Sequence, residues 1–216
     1  MNRWLLLTQD FPPRFVGGIA SWAEDLSLAL TEQGEHTIVF ARRTGDTTGF
    51  DRPFAASVHR CPGRSWSRWQ GLWMRLAVGH RLTSHDRVIA ATWRLATQLL
   101  GPIERSGARL AVAFHGSDLT RLETAPPALQ RVVSSAHALL PVSRFLADEL
   151  QRLDLIKPGD PRLHVLPMPV RTLQPSPTGT GLICVARQTP LKGIDRAVAL
   201  AQALSIPITL VGADAP

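Results

Sequence analysis

Short apolar runs alternate with segments of helical period along most of this 216-residue chain. That alternation is the strongest constraint on the fold. Strands separated by helices pair in parallel and need helices on both faces of their sheet. Residues 3–8, 36–41, 57–61, 86–91, 109–114, 138–142 and 163–166 read as strands. Between the first two, residues 18–33 carry Ile19, Trp22, Ala23, Leu26, Ala29 and Leu30 at helical spacing, with Gly34 as a stop. Further helices are expected over 64–81, 93–105, 127–135 and 144 to about 155, the last with Ser143 as its N-cap. Residues 9–16 and 42–56 read as irregular. The fold class is therefore α/β, a Rossmann-like parallel sheet wound with helices.

Residues 167–179 hold four prolines, Pro167, Pro169, Pro175 and Pro177, and read as a linker. Apolar strand character resumes over 181–186. A helix over 193–204 and a strand over 208–211 follow. The expected organisation is a first Rossmann-like domain over 1–170, a linker over 171–180, and the first strand–helix–strand unit of a second Rossmann-like domain over 181–216. A unit that small barely exceeds one supersecondary motif, so its apolar strands are expected to keep bare faces and unpaired edges.

The net charge of +7 suits an anionic partner without choosing one, and high arginine content can also follow genomic base composition. Cys61 and Cys184 form neither a metal-ligand spacing nor a disulfide framework. No apolar run approaches the roughly 20 residues of a membrane span. The first eight residues lack the length and cleavage site of a signal peptide. A cytoplasmic protein is expected.

Two places suit a phosphate-bearing ligand. Gly17 and Gly18 stand at the start of the first helix, where glycine permits close approach and free N–H groups meet a positive dipole end. A tight strand-to-helix turn without a ligand is the alternative. Neither a dinucleotide fingerprint nor a phosphate-binding loop ending in Gly-Lys-Ser or Gly-Lys-Thr is present. The second place is the loop from Arg187 to Gly193, between a strand and a helix. Arg187 and Lys192 could hold a diphosphate there, Arg as a planar fork and Lys as a point charge. Two solvated loop cations are the alternative.

With these residues the chain resembles the family 4 glycosyltransferases, retaining enzymes with two facing Rossmann-like domains of the GT-B type. The matching stretches are Phe11-Pro12-Pro13 through Gly17-Gly18-Ile19, Leu28-Ala29-Leu30 with Gly34-Glu35-His36, and His115-Gly116-Ser117-Asp118. Pro141-Val142-Ser143, Val165-Leu166-Pro167, the Arg187 to Asp195 segment and Leu210-Val211-Gly212 also match. The resemblance implies transfer of a sugar from a nucleotide-sugar donor, with retention, without a metal and with no cofactor beyond the donor. Arg187 and Lys192 would neutralise the leaving diphosphate, and His115 would sit near the reacting sugar. Gly17 and Gly18 would lie against donor or acceptor, with Asp118 orienting the site. The acceptor would be a saccharide, a lipid-linked sugar or a small molecule, and no nucleic acid is expected. Because strand carboxyl ends gather on one edge of such a sheet, Gly17, Gly18 and His115 are expected on one rim, with Arg187 and Lys192 facing the same cleft.

Departures accompany the resemblance. Pro167-Met168-Pro169-Val170 stands where the family has Pro-Asn-Gly-Val. Val211-Gly212-Ala213-Asp214-Ala215-Pro216 replaces Val-Gly-Asp-Gly-Pro. Family members carry two glutamates, seven residues apart, further into the second domain, whereas the last glutamate here is Glu149. A fragment, inactive by itself, is therefore expected. A nucleotide-sugar epimerase of the same architecture and a non-catalytic binding module are the rival readings. The helix from Arg64 to Arg81 is amphipathic. Trp66, Trp69, Leu72, Trp73, Leu76 and Ala77 share one face, with Arg64, Arg68 and Arg75 opposite. Such a helix either packs that face on the sheet or makes a peripheral contact at the inner membrane face.

Overall fold

The first apolar run forms β1 (Arg3–Leu7), which lies in the middle of a six-stranded sheet. The computed structural model describes residues 3–13, 17–43, 47–62, 68–169, 179–186 and 188–212. They fall into two units, Met1–Val170 and Arg171–Pro216. In the first, β2 (His36–Arg42), β3 (Ser57–Cys61), β4 (Arg87–Ala90), β5 (Arg109–Phe114) and β6 (Ala138–Pro141) join β1 in the order β3-β2-β1-β4-β5-β6. Every pair is parallel. The winding runs outward from β1 to β3, then reverses and runs from β4 to β6. The crevice at such a reversal, beyond the strands' carboxyl ends, is where ligands of open α/β sheets bind.

The pleat divides the apolar residues between two cores. Leu5, Leu7, Phe40, Val88, Val112 and Phe114 face one side. They meet α3 (Arg68–Gly79), α4 (Trp93–Ser106), α6 (Pro127–Ser135) and α7 (Arg144–Arg152), through Met74, Leu99, Val132 and Leu150 among others. Leu6, Val39, Ile89 and Ala113 face the other side, against Trp22 and Ala23 of α1 (Gly18–Glu32). Helix starts follow side-chain chemistry. The Thr92 hydroxyl accepts from Leu95 N–H at 3.3 Å, and the Ser143 hydroxyl accepts from Leu146 N–H at 3.3 Å, as the sequence predicts. Gly107, at φ 71°, ends α4 in the left-handed conformation.

An ion pair ties the reversal point together at the opposite, amino edge. Arg3, at the start of β1, donates to both carboxylate oxygens of buried Asp86 at 2.9 and 2.7 Å. Asp86 Oδ2 also accepts from the Thr83 N–H and hydroxyl, so this buried carboxylate is paired and hydrogen-bonded at once.

Three expectations change. Residues 163–166 do not form a strand. Leu163 alone bridges to Leu139, although this stretch still follows β6 and Leu166 N–H reaches the Pro141 carbonyl at 2.9 Å. Pro167 and Pro169 flank its end and supply no donors to extend the pairing. The stretch read as irregular contains a short helix, α2 (Thr48–Asp51). The apolar face of α3 meets the sheet only in part. Met74 and Val78 enter the core, while Leu72, Trp73 and Leu76 are about half exposed. The helix lies on α4, where a Cβ on Gly79 would meet Pro102 at 3.7 Å, and only this narrow stripe is needed for packing. Trp66 and the side chain of Trp69, assigned to the same face, lie outside the described residues.

The second unit holds β7 (Leu182–Val185) paired in parallel with β8 (Ile208–Val211). A 3-10 turn (Pro190–Lys192) and α8 (Ile194–Ala203) lie between them. Ile183 and Val185 are 69% and 70% exposed, as a two-stranded sheet with one helix must leave them.

Candidate active site

The carboxyl rim of the large sheet collects residues that sequence reading singled out. β5 ends at Phe114, and His115 is the N-cap of the one-turn helix α5 (Gly116–Leu119). Asp118 closes this turn in both directions. Its carboxylate accepts from the His115 N–H at 3.1 Å, and its own N–H donates to the His115 carbonyl at 2.9 Å. The backbone of His115 is thereby fixed before its side chain does anything.

The imidazole is buried, 6% exposed, and lies against two elements. It donates to the backbone of Ala91, just past β4, and the indole of Trp22 meets it edge to face at 5.1 Å. Its Nε2 is buried without a partner, so the bond to Ala91 runs through Nδ1–H and Nε2 carries the free lone pair. Burial lowers the pKa to about 4, against the bond to Ala91, which raises it. At neutral pH the ring is uncharged and Nε2 is an acceptor awaiting an O–H or N–H.

Asp118 is shifted the other way. Burial pushes its carboxyl up to about 6, against the His115 N–H and the Arg94 guanidinium, which lower it. Arg94 lies 3.6 Å away and stacks on Trp93, whose indole N–H donates to the Asp118 carbonyl at 3.3 Å. Trp22, Trp93 and Arg94 were not marked by sequence reading. The helical period placed Trp22 in the core, where it does lie, and only the fold shows that its edge also borders His115.

Gly17 and Gly18 reach the same rim, since α1 leaves the end of β1 and places Trp22 on His115. Their reasons for being glycine differ. Gly17, at φ 151°, adopts a conformation that side chains rarely tolerate, yet a Cβ there would meet nothing within 4 Å. A Cβ on Gly18 would approach Met168 Cε at 3.3 Å. The chain that departs from the family's Pro-Asn-Gly-Val thus brings Met168 against Gly18. In the second unit, Lys192 is exposed at the end of the 3-10 turn. Beside it is a depression of about 360 Å³ lined by Gln188, Thr189, Pro190, Ile194 and Asp195. Arg187 lies outside the described residues. Among the described residues no group of three or more His, Cys, Asp or Glu converges as a metal site.

The first unit has the Rossmann-like fold of the GT-B glycosyltransferases. Residues 16–172 match Glycosyltransferase Family 4, and the chain belongs to that family. No curated protein sequence matches it. Solved structures share its architecture at low identity. HepE of Anabaena, in complex with UDP and glucose, is 15% identical with a TM-score of 0.68, over 99% of this chain and 61% of HepE. A glycosyltransferase from Rickettsia africae is 16% identical with a TM-score of 0.66, over 97% of this chain and 60% of that one. S. aureus TarM, in complex with fondaparinux, α-GlcNAc-glycerol and UDP, is 6% identical with a TM-score of 0.73, over 100% and 73%. The chain thus spans about three fifths of the first two proteins' length, at 61% and 60%.

Proposed function

We propose that this protein transfers a sugar from a nucleotide-sugar donor to a saccharide, lipid-linked or small-molecule acceptor, with retention and without a metal. The observation that carries the reading is the buried, neutral His115 with an unpartnered Nε2 on the carboxyl rim. A sugar hydroxyl is the kind of donor that Nε2 lacks. Asp118 holds the His115 backbone in place, so it is a positioning residue. Gly17 and Gly18 bring bare backbone to the ligand. Lys192, with Arg187, would stabilise the charge that develops on the diphosphate as the glycosidic bond breaks. UDP is present in the HepE and TarM structures, which makes UDP-sugars the first donors to try. A polypeptide limited to residues 1–216, with no glutamate after Glu149, is expected to bind such donors weakly.

The test uses the protein expressed from its gene with radiolabelled UDP-glucose and UDP-GlcNAc, in EDTA and with added magnesium. Transfer should be unchanged by EDTA, and the anomeric coupling in the product should match that of the donor. His115→Ala should lower turnover about 100-fold or more while the protein stays folded, the scale on which a lost contact to a developing charge is felt. Epimerised donor without transfer would instead place the protein among nucleotide-sugar epimerases. Full activity in His115→Ala would remove that residue from the site.

A further inference from the structure

The proposed reaction uses the carboxyl rim of the large sheet. At the opposite edge, where the strands begin, lies a depression of about 330 Å³ that the reaction leaves without a role. Its polar side chains are those of Trp4, Arg87, Arg109 and His137. All four stand at the starts of strands: Trp4 in β1, Arg87 first in β4, Arg109 first in β5 and His137 just before β6.

Strand register sets three of them in a row. Trp4 is the partner of Arg87, and Arg87 is the partner of Arg109. The Arg87 guanidinium stacks on the Trp4 indole, 5.0 Å from the ring centre. That contact covers one side of Arg87 but supplies no counter-charge. Like charges directly opposite each other on neighbouring strands are destabilising. Among the described residues neither arginine has a carboxylate partner. Asp86, next to Arg87 in sequence, is already held by Arg3.

The other two groups share this polarity. The Trp4 Nε1–H is shut off from solvent and has no acceptor among the described residues. His137 Nδ1 accepts from the Leu110 N–H at 3.3 Å, so the neutral ring keeps its proton on Nε2, which donates. The depression is thus lined by an indole N–H, two guanidinium forks and an imidazole N–H, and no lining side chain offers a free acceptor. A group that only accepts is the complement, and a negative one also relieves the repulsion between the arginines. A carboxylate has two oxygens in one plane. A phosphate or phosphate ester spreads three or four around a tetrahedron, which suits donors arriving from separate strands, and arginine binds it in a bidentate fork. The volume is at the small end for ligand sites and fits such an anion with at most a small organic body.

We propose that Trp4, Arg87, Arg109 and His137 form a binding site for a phosphate-type oxyanion at the amino edge of the sheet. This does not depend on the transferase reading and can fail separately from it, since His115 lies on the opposite edge.

The test uses the protein expressed from its gene, labelled with 5-fluorotryptophan and kept in chloride buffer. The fluorine signal lost in Trp4→Phe belongs to Trp4. Inorganic phosphate, added at constant ionic strength, should move that signal in a saturable way, whereas acetate should move it much less. Glycerol 3-phosphate in parallel separates the sources: tighter binding than inorganic phosphate assigns the site to a phosphate ester, and weaker binding assigns it to the bare anion. Arg87→Gln and Arg109→Gln should each raise the phosphate concentration required by about tenfold or more. Without phosphate, Arg109→Gln should melt at or above the wild-type temperature, because it removes one of two facing like charges. A Trp4 signal that phosphate does not move would overturn the proposal. So would an equal response in wild type and both arginine variants. A lower melting temperature of Arg109→Gln without phosphate would show that a carboxylate from elsewhere in the polypeptide already sits on the pair, and would likewise overturn it.

Discussion

His115 and Asp118 lie within one turn of each other, and burial moves their protonation in opposite senses. For His115 the pKa falls from 6.5 to about 4, so the unfolded chain binds its proton more tightly. Its contribution to stability is complete above pH 6.5 and is lost as the pH falls toward 4. For Asp118 the pKa rises from 3.8 to about 6, so the folded chain binds the proton more tightly. Its contribution is complete below pH 3.8 and is lost as the pH rises through 6. Each shift corresponds to about 3 kcal/mol, as an order of magnitude. The two slopes therefore offset over the same interval. Replacing either residue should expose the other. Asp118→Asn should lose stability more steeply on acidification from pH 6.5 to 4 than wild type does. His115→Gln should lose less, or gain. Urea midpoints measured across this interval test it, and variants running parallel to wild type would contradict the linkage.

Arg60 shows how one strand fixes the loop of another. From β3 its guanidinium donates to both oxygens of Asp51 at 3.0 and 2.6 Å, to the Phe11 carbonyl at 3.3 Å and to the Pro12 carbonyl, and it stacks on the Phe11 ring. Burial pushes the Asp51 carboxyl up, but Arg60 and the Thr47 hydroxyl together hold it below the ordinary carboxylate range. α2 and the chain leaving β1 are thus pinned to β3. Arg60→Met should cost about 2–3 kcal/mol, at or below the low end of the roughly 3–5 kcal/mol for a broken buried pair, because Asp51 is not fully buried. Pairing it with Asp51→Leu should recover much of that loss in chemical denaturation. No recovery would mean that the carbonyl contacts dominate. Nothing in the sequence pointed to this clamp, since its partners are far apart along the chain and unlike in type. β3, β5, α6 and β8 were legible to the residue, because apolar runs and Pro or Gly boundaries are local signals. α3 was legible as a helix but not in its orientation, which depends on how much of the sheet edge α4 already covers. His115 and Asp118 were legible as a motif. Their opposed protonation was not, because burial is a property of the assembled sheet.

The two units differ sharply in how well they bury themselves. In the first, Leu5, Leu6 and Leu7 are all essentially inaccessible, whereas in the second Ile183, Val185, Leu200, Leu204 and Leu210 are all substantially exposed. Local opening follows burial, so amides of β7 and β8 in a polypeptide of residues 1–216 should exchange about 100-fold or more faster than those of β1, β4 and β5. Hydrogen-exchange mass spectrometry reads this directly, and equal protection in the two units would contradict it. The ion pair between Arg3 and Asp86 has a further consequence, for the order of assembly during synthesis. β1 can find β2 and β3 from neighbouring sequence, but its other flank waits for a residue 83 positions away. No nascent chain shorter than 86 residues can close the reversal point. Until then the ribosome presents half a sheet, with Leu5 and Leu7 still lacking α4. His115 is later still, for β5 has only β4 and β6 as neighbours. The rim that bears His115 closes only after β4, β5 and β6 have been made, and the first strand must stay soluble, or be shielded by a chaperone, until it does.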